Sequence, residues 1–289
     1  MAQEKHNVKR SKPVSTALSG RRPRRLYVLE WRGKGSAKNL RRLPGYLGAW
    51  PEPPYTYLFF EESPTDETRR AVEDAFCGKM TGEYDLDFHQ WQQVRPASLR
   101  VGSFLITAEP PGTPWDEDHH PIVLTPGLVF GTGVHPTTRA CLLLLERIYG
   151  ERVFEDVVDL GTGTGVLAVA AARLGARRIV ALDANPMAVR EAAVNAARND
   201  LQGTVFPVAG RDLEAVGAFG DLLLMNLEWP SLKGVLAQGA WRRFSLVLAA
   251  GFLSSQYREF LERLPAGFRV RDRLAVDGWE AVAACRTGP

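Results

Sequence analysis

Seven consecutive residues, Asp159-Leu160-Gly161-Thr162-Gly163-Thr164-Gly165, carry the densest chemical signal in the sequence. They follow an apolar, strand-like run and open a helical one, a place where glycines let the backbone come close to a ligand at a helix N-terminus. Leu182-Asp183 closes the next apolar run about 20 residues later, where an acidic side chain can accept hydrogen bonds from both ribose hydroxyls of a nucleoside. Two ligand classes share that outline. A dinucleotide site has G-x-G-x-x-G, which would put the third glycine at position 166; Val166 stands there instead. The observed G-x-G-x-G, preceded by an aspartate, is the form used for S-adenosylmethionine, whose amino-acid tail and not a pyrophosphate packs against the loop. Asp159 can then hold the ligand's ammonium directly or through water. A bare strand–helix turn would explain the glycines of Gly161, Gly163 and Gly165 but not the spaced acid.

A third element is Leu222-Leu223-Leu224-Met225-Asn226-Leu227-Glu228-Trp229-Pro230, an apolar run that ends in a polar amide. Ligands of open α/β sheets bind outside the carboxyl ends of the strands, so Asn226 is expected at the site, able to hydrogen-bond a substrate amine or the cofactor's aminoacyl end. Capping the helix after Pro230 is the plainer role for an asparagine, but Asn226 lies too early for it. Upstream, the stretch Pro126-Gly127-Leu128-Val129-Phe130-Gly131-Thr132-Gly133-Val134-His135-Pro136-Thr137-Thr138 is dense in Gly, Pro and Thr and leads into a helix that includes Leu142–Leu145. Pro136 presets a turn and Thr137 is a candidate N-cap. Phe130 can shield a methyl sulfonium or guide a substrate side chain, and Thr138 can reach a cofactor from above. His135 is a candidate general base, although a lone histidine is more often structural.

These side chains need a scaffold. Strand-like runs at 157–160, 179–182, 205–208, 222–225 and 246–250 alternate with helical patterns such as 165–174 and 186–198, which implies a parallel sheet covered on both faces. Runs at 268–274 and 279–285, joined by Asp277-Gly278, predict a tight hairpin. The expected fold class is α/β: a Rossmann-like, mostly parallel seven-stranded sheet with a C-terminal antiparallel hairpin, plus a small N-terminal α+β domain. The small domain is expected over 26–90, with strands at 26–31 and 55–60, a loop at 45–54 and a helix at 66–77. Residues 91–124 read as a linker, with one strand at 101–106 and an exposed loop at 110–121. Residues 125–289 form the ligand-binding domain.

Composition limits the function classes. An apolar share of 45% over 289 residues is ordinary for a globular protein, and no stretch approaches a membrane helix. A cytoplasmic location is expected. Cys77, Cys141 and Cys285 are far apart, and only His119 and His120 of the five histidines are close, so neither a disulfide framework nor a metal site is expected. Net charge is +3, but residues 1–25 hold eight basic residues against Glu4, leaving the remainder at −4. That segment reads as a disordered basic arm, either solubilising or able to touch RNA phosphates.

The stretch from Pro126 to Asn199 resembles the PrmA-type methyltransferases, which methylate amino groups of a large-subunit ribosomal protein, number eleven. Phe130-Gly131-Thr132-Gly133, His135-Pro136-Thr137-Thr138, the glycine-rich loop, Leu182-Asp183 and Asn226 carry the likeness, with weaker extension through Trp91, Pro96 and Leu105. The glycine loop alone indicates the wide class I methyltransferase fold; the F-G-T-G-x-H-P-T-T stretch is more specific. The resemblance implies S-adenosylmethionine as cofactor, contacted by Thr138, Gly161, Asp183 and Asn226, and a protein amine, of lysine or the N-terminus, as methyl acceptor. It also implies that the N-terminal domain recognises the ribosomal substrate. The chain departs from the family at Glu228-Trp229, where small or aliphatic residues are usual, and this is expected to alter the substrate mouth. Glu228 can serve as a base or attract a substrate cation. Alternatives are lysine methylation of another protein, RNA methylation guided by the basic arm, an oxidoreductase, and a silent binding module. RNA methylation is less favoured because no Pro-Pro-aromatic follows Asn226, the oxidoreductase because of Val166, and the silent module because loop, acid and amide are intact.

Overall fold

In the computed structural model, residues 25–35, 40, 42–52, 55–87, 98–108, 119–125 and 129–287 are described. The expected basic arm lies outside them except for Arg25, which begins a strand and pairs with Asp85 through two hydrogen bonds of 2.8 and 2.7 Å. Trp91, Pro96, the loop at 110–118 and Pro126, Gly127 and Leu128 also lie outside.

The central sheet is built from strands β8 (Asp156–Leu160), β9 (Arg178–Asp183), β10 (Val205–Ala209), β11 (Leu222–Asn226), β12 (Leu246–Leu253), β13 (Phe268–Val276) and β14 (Trp279–Arg286). Their order is β10-β9-β8-β11-β12-β14-β13. The first five run parallel, and β14 inserts antiparallel between β12 and β13. Alternate side chains enter opposite faces. Leu222 and Leu224 join one core cluster while Leu223 and Met225 join the other, and β12 repeats this with Leu246 and Leu248 against Val247 and Ala249. Both faces are buried, which is why these strands read as continuous apolar runs. Asp277 and Gly278 both adopt positive φ, as the two-residue turn of the hairpin requires.

Helices cover the faces: α2 (Pro136–Glu151), α3 (Val166–Arg173), α4 (Pro186–Arg198), α5 (Trp229–Gln238) and α6 (Tyr257–Arg263). Asn185 caps α4 by accepting from Met187 N–H, with Pro186 at the first turn. The cap of α2 is not Thr137 but His135, whose Nδ1 accepts from the Thr137 N–H; Thr137 is inside the helix and buried. Among the described residues no helix is long and apolar enough to cross a membrane.

The small N-terminal unit is a four-stranded antiparallel sheet, ordered β2-β3-β1-β4, with β1 (Arg25–Gly35), β2 (Tyr46–Glu52), β3 (Tyr55–Phe60) and β4 (Phe76–Asp87). Helix α1 (Asp66–Ala75) covers one face. Two expectations are corrected here. The loop at 45–54 contains β2, and the helix expected to reach Cys77 stops at Ala75 because Phe76 turns extended and packs on Trp31, starting a strand paired with β1. The linker reading of 91–124 also needs revision. Its described part forms the sheet β5 (Ser98–Val101), β6 (Phe104–Thr107) and β7 (His120–Val123), and Val101, Phe104, Ile106 and Ile122 lie in the same core cluster as α2 and α3.

Glu280 on β14 is fully buried and receives both ends of the Arg273 guanidinium, at 2.8 and 2.5 Å, while Arg273 lies 3.7 Å over the Tyr257 ring. Glu280→Ala should lower unfolding free energy by about 1–3 kcal/mol at neutral pH in urea titration. Arg273 holds the Glu280 carboxyl below its ordinary value. Its contribution is therefore complete above the ordinary carboxylate range and lost as pH falls through the depressed value, so the variant and parent should converge in acid.

Candidate active site

The chain crosses from β8 outward to β9 and β10, then returns to β11 on the other side of β8. The boundary between β8 and β11 is a topological switch point, the usual crevice for ligands in such sheets. The glycine loop leaves β8 there, Asn226 ends β11, and Asp183 ends β9 beside them.

All five backbone N–H groups of the loop have internal acceptors. Gly161 and Thr162 donate to the Leu182 carbonyl at 2.8 and 3.1 Å, Thr164 to the Phe130 carbonyl at 3.0 Å, and Gly165 to the Thr162 carbonyl at 2.9 Å. Gly163 donates to Asp183 Oδ2 at 3.0 Å. Gly163 must be glycine: its φ is +56°, and a Cβ there would stand 2.4 Å from the Phe130 carbonyl oxygen. A phosphate cradle needs free N–H groups, and this loop offers none. The second Asp183 oxygen accepts from Asn185 N–H at 2.8 Å. A carboxylate has about four acceptor positions, so Asp183 can still accept two hydroxyl donors. Burial raises its pKa, against these two backbone hydrogen bonds.

Asp159 and Thr138, both expected to touch a cofactor, are buried at 1% and 0% exposure and hold neighbouring groups instead. Asp159 Oδ2 accepts from Thr162 Oγ1 at 2.6 Å, and the carboxyl also takes the Ala168 N–H in the first turn of α3. Asp159 thereby ties the glycine loop to the first turn of α3. Thr138 Oγ1 accepts from Asn226 Nδ2 at 3.2 Å, which fixes the amide and leaves Oδ1 without a partner among the described residues.

The segment before α2 lies over the loop, with the Gly131 carbonyl accepting from Thr164 Oγ1 at 2.6 Å. Phe130 is 42% exposed and meets the His135 ring edge-on at 5.3 Å; Trp279 meets the same ring at 5.0 Å. Burial lowers the His135 pKa. With its Nδ1 engaged in the cap and aromatic rings against it, His135 is a strut between segment and hairpin.

Sequence reasoning missed several residues. Asn195, fully buried on α4, accepts from Thr125 N–H at 2.7 Å and donates to the Thr164 carbonyl at 2.8 Å. Asn199 makes a two-way pair with the Val123 backbone at 2.9 and 2.8 Å, and Arg173 adds a bond to the Pro121 carbonyl at 2.9 Å. Gly251 has φ +100°, and a Cβ there would lie 1.8 Å from the Leu227 carbonyl oxygen, so the chain beside Asn226 tolerates no side chain. Trp229 is not at the mouth: it is buried against Phe252, and its indole N–H reaches Glu259 at 3.3 Å.

The sequence pattern of the family described as ribosomal protein L11 methyltransferase (PrmA) matches residues 79–287. The chain belongs to this family. Relatives of that name include proteins of Pelotomaculum thermopropionicum, 42% identical over 56% of this chain and 53% of its own length, and Myxococcus xanthus, 35% identical over 74% and 75%. A solved ribosomal protein L11 methylase from Lactobacillus delbrueckii subsp. bulgaricus superposes with a TM-score of 0.59 at 26% identity, over 67% of this chain and all of that one. The fold is the Rossmann-like class I methyltransferase fold, and S-adenosylmethionine is the methyl donor that membership of this class implies. The chain spans about half the length of the first curated relatives it matches, 53% and 40% for the first two.

Burial raises the Asp159 pKa to about 7. A raised folded pKa favours the neutral carboxyl, so this contribution to stability is present below the unfolded value of about 4 and is lost as pH rises through about 7. Asp159→Asn keeps an acceptor for Thr162 and removes the titration. Its urea midpoint, relative to the parent, should rise between pH 5 and 8; an unchanged difference would contradict the assignment.

Proposed function

We propose that the chain is an S-adenosylmethionine-dependent protein N-methyltransferase, acting on a lysine or N-terminal amine of a large-subunit ribosomal protein, L11 being the first candidate. The observation that carries this reading is the internally satisfied glycine loop next to an acceptor-rich crevice. It suits a ligand with ribose hydroxyls and a cationic amino-acid tail, and not a pyrophosphate. The names of the relatives support the protein substrate.

S-adenosylmethionine, when bound, supplies a methyl group on a positively charged sulfur. Asp183 would accept the ribose hydroxyls, with Gly161, Gly163 and Gly165 forming the loop against the ligand. Asp159 would act through the loop, holding Thr162 and the first turn of α3. Asn226 is the residue for the acceptor amine. Its Nδ2 is anchored on Thr138, so Oδ1 accepts an amine N–H and turns the nitrogen lone pair toward the crevice, a proximity effect. A lysine amine has an unperturbed pKa near 10.4 and must lose a proton first. Phe130 at the rim excludes water, and desolvation lowers that pKa. The basic residues before Leu26 add a contact to ribosomal RNA phosphates.

Incubation with radiolabelled S-adenosylmethionine and a ribosome-free lysate from a strain lacking this gene tests the reading. Label in L11 supports it, label in another protein moves the substrate, and label only in RNA overturns it. Asn226→Ala should lower kcat about 100-fold while the fold and cofactor affinity persist; unchanged turnover would remove the residue from the mechanism. Asp183→Ala should weaken cofactor binding about 10- to 100-fold by calorimetry, as expected for hydrogen bonds to a charged group.

A further inference from the structure

Glu228 and Trp229 differ in their surroundings. Met225 and Trp229 enter the core cluster that α5 covers, and Leu227 packs against it and against Gly161. Asn226 lies on the opposite side, facing Thr138 of α2. With Met225, Leu227 and Trp229 all turned to that cluster, Glu228, at φ −55° and ψ 145° between the strand end and α5, is left outside it, two residues after Asn226. It is exposed, its side chain makes no cap bond to α5, and no described residue gives it a hydrogen bond or ion pair. Trp229 holds the backbone on which Glu228 stands, through Phe252 at 5.4 Å, the Glu259 bond and Lys233, which lies 5.5 Å over its ring.

We propose that Glu228 is a specificity-determining residue that binds a second positive charge on the substrate, a lysine or arginine side chain close to the target amine. This rests on the amine-methylation reading above. The target nitrogen must be neutral when it meets Asn226, so the cation held by Glu228 is a different group. Two residues of chain span at most about 7 Å, which keeps the charges within the distance between near neighbours in a peptide. Proton removal from the target amine is the weaker role for Glu228: a carboxyl is tuned for that work by burial, and this one is in solvent.

The test compares two short peptides, each with one lysine, flanked by arginine in one and by alanine in the other. The wild-type chain, with S-adenosylmethionine, should favour the arginine peptide by about 3- to 5-fold in kcat/KM, the size of an exposed charge contact, and less at high salt. Glu228→Gln should abolish the preference, with the change in KM, and Glu228→Lys should prefer a glutamate-flanked peptide. A preference retained in Glu228→Gln overturns the proposal. So does an equal fall in kcat for both peptides, which would make Glu228 a base. Transfer to whole L11 with none to either peptide overturns this inference and leaves the amine reading standing, whereas transfer to neither protein nor peptide overturns both.

Discussion

The five N–H groups from Gly161 to Gly165 sit where β8 ends and the regular strand ladder stops. Leaving one buried donor unpaired costs about 1–3 kcal/mol, so this short turn must collect acceptors from elsewhere in the chain. It takes Leu182 and Asp183 from the adjacent strand and Phe130 from the segment before α2. Each acceptor brings its own element into place. The ribose-side acid is held against the loop, Phe130 is drawn over it, and the loop's electrostatic surface is that of a group with no donors to offer. Ligand class follows from hydrogen-bond satisfaction as much as from glycine spacing.

The segment over the loop is in turn held from below. Asn195 and Asn199 make bonds to the backbone at 123, 125 and 164, buried except for the part-buried bond at Thr125. Two asparagines are needed because an amide side chain can both donate and accept, as a free strand edge does. The sheet of β5, β6 and β7 supplies the apolar half of the same attachment, through Phe104 and Ile122. Residues as far before the glycine loop as Phe104 are thus part of its support, which explains why they belong to one core with α2 and α3.

The parallel strands were readable because burial on both faces leaves an uninterrupted apolar run, and the last hairpin because Asp277-Gly278 names its own turn. The helical pattern at 186–198 matches α4. Other features depend on partners far away in sequence. In β4, Cys77-Gly78-Lys79-Met80-Thr81-Gly82 has little intrinsic strand preference, and the pairing with β1 imposes the conformation. Asn195 and Asn199 look like solvent-facing residues in a helix of ordinary composition. Gly251 is a single glycine in an apolar strand, indistinguishable in sequence from a packing position. His135 ranks low as a cap, and only its two aromatic neighbours show why a ring is used there. The strand-end positions of Asp183 and Asn226 could be read because each closes an apolar run; the buried contacts of Asp159 and Thr138 could not.

The junction from β11 to α5 shows how rigidity is placed where geometry matters. A misplacement of about 1 Å in a reacting group can cost about 100-fold in rate, so the strand end carrying Asn226 has to be stiff. Thr138 fixes the side chain. Gly251 lets β12 approach the Leu227 carbonyl closely, and the Leu227 N–H pairs with Ala250 at 3.1 Å, extending the ladder one residue beyond the amide. Trp229 then buries itself on the far side and ties the turn to α6. A large aromatic next to a site usually suggests contact with ligand. Here its burial against Phe252 makes it a fastening, and recognition falls to its neighbour Glu228, which stands in solvent two residues after the amide.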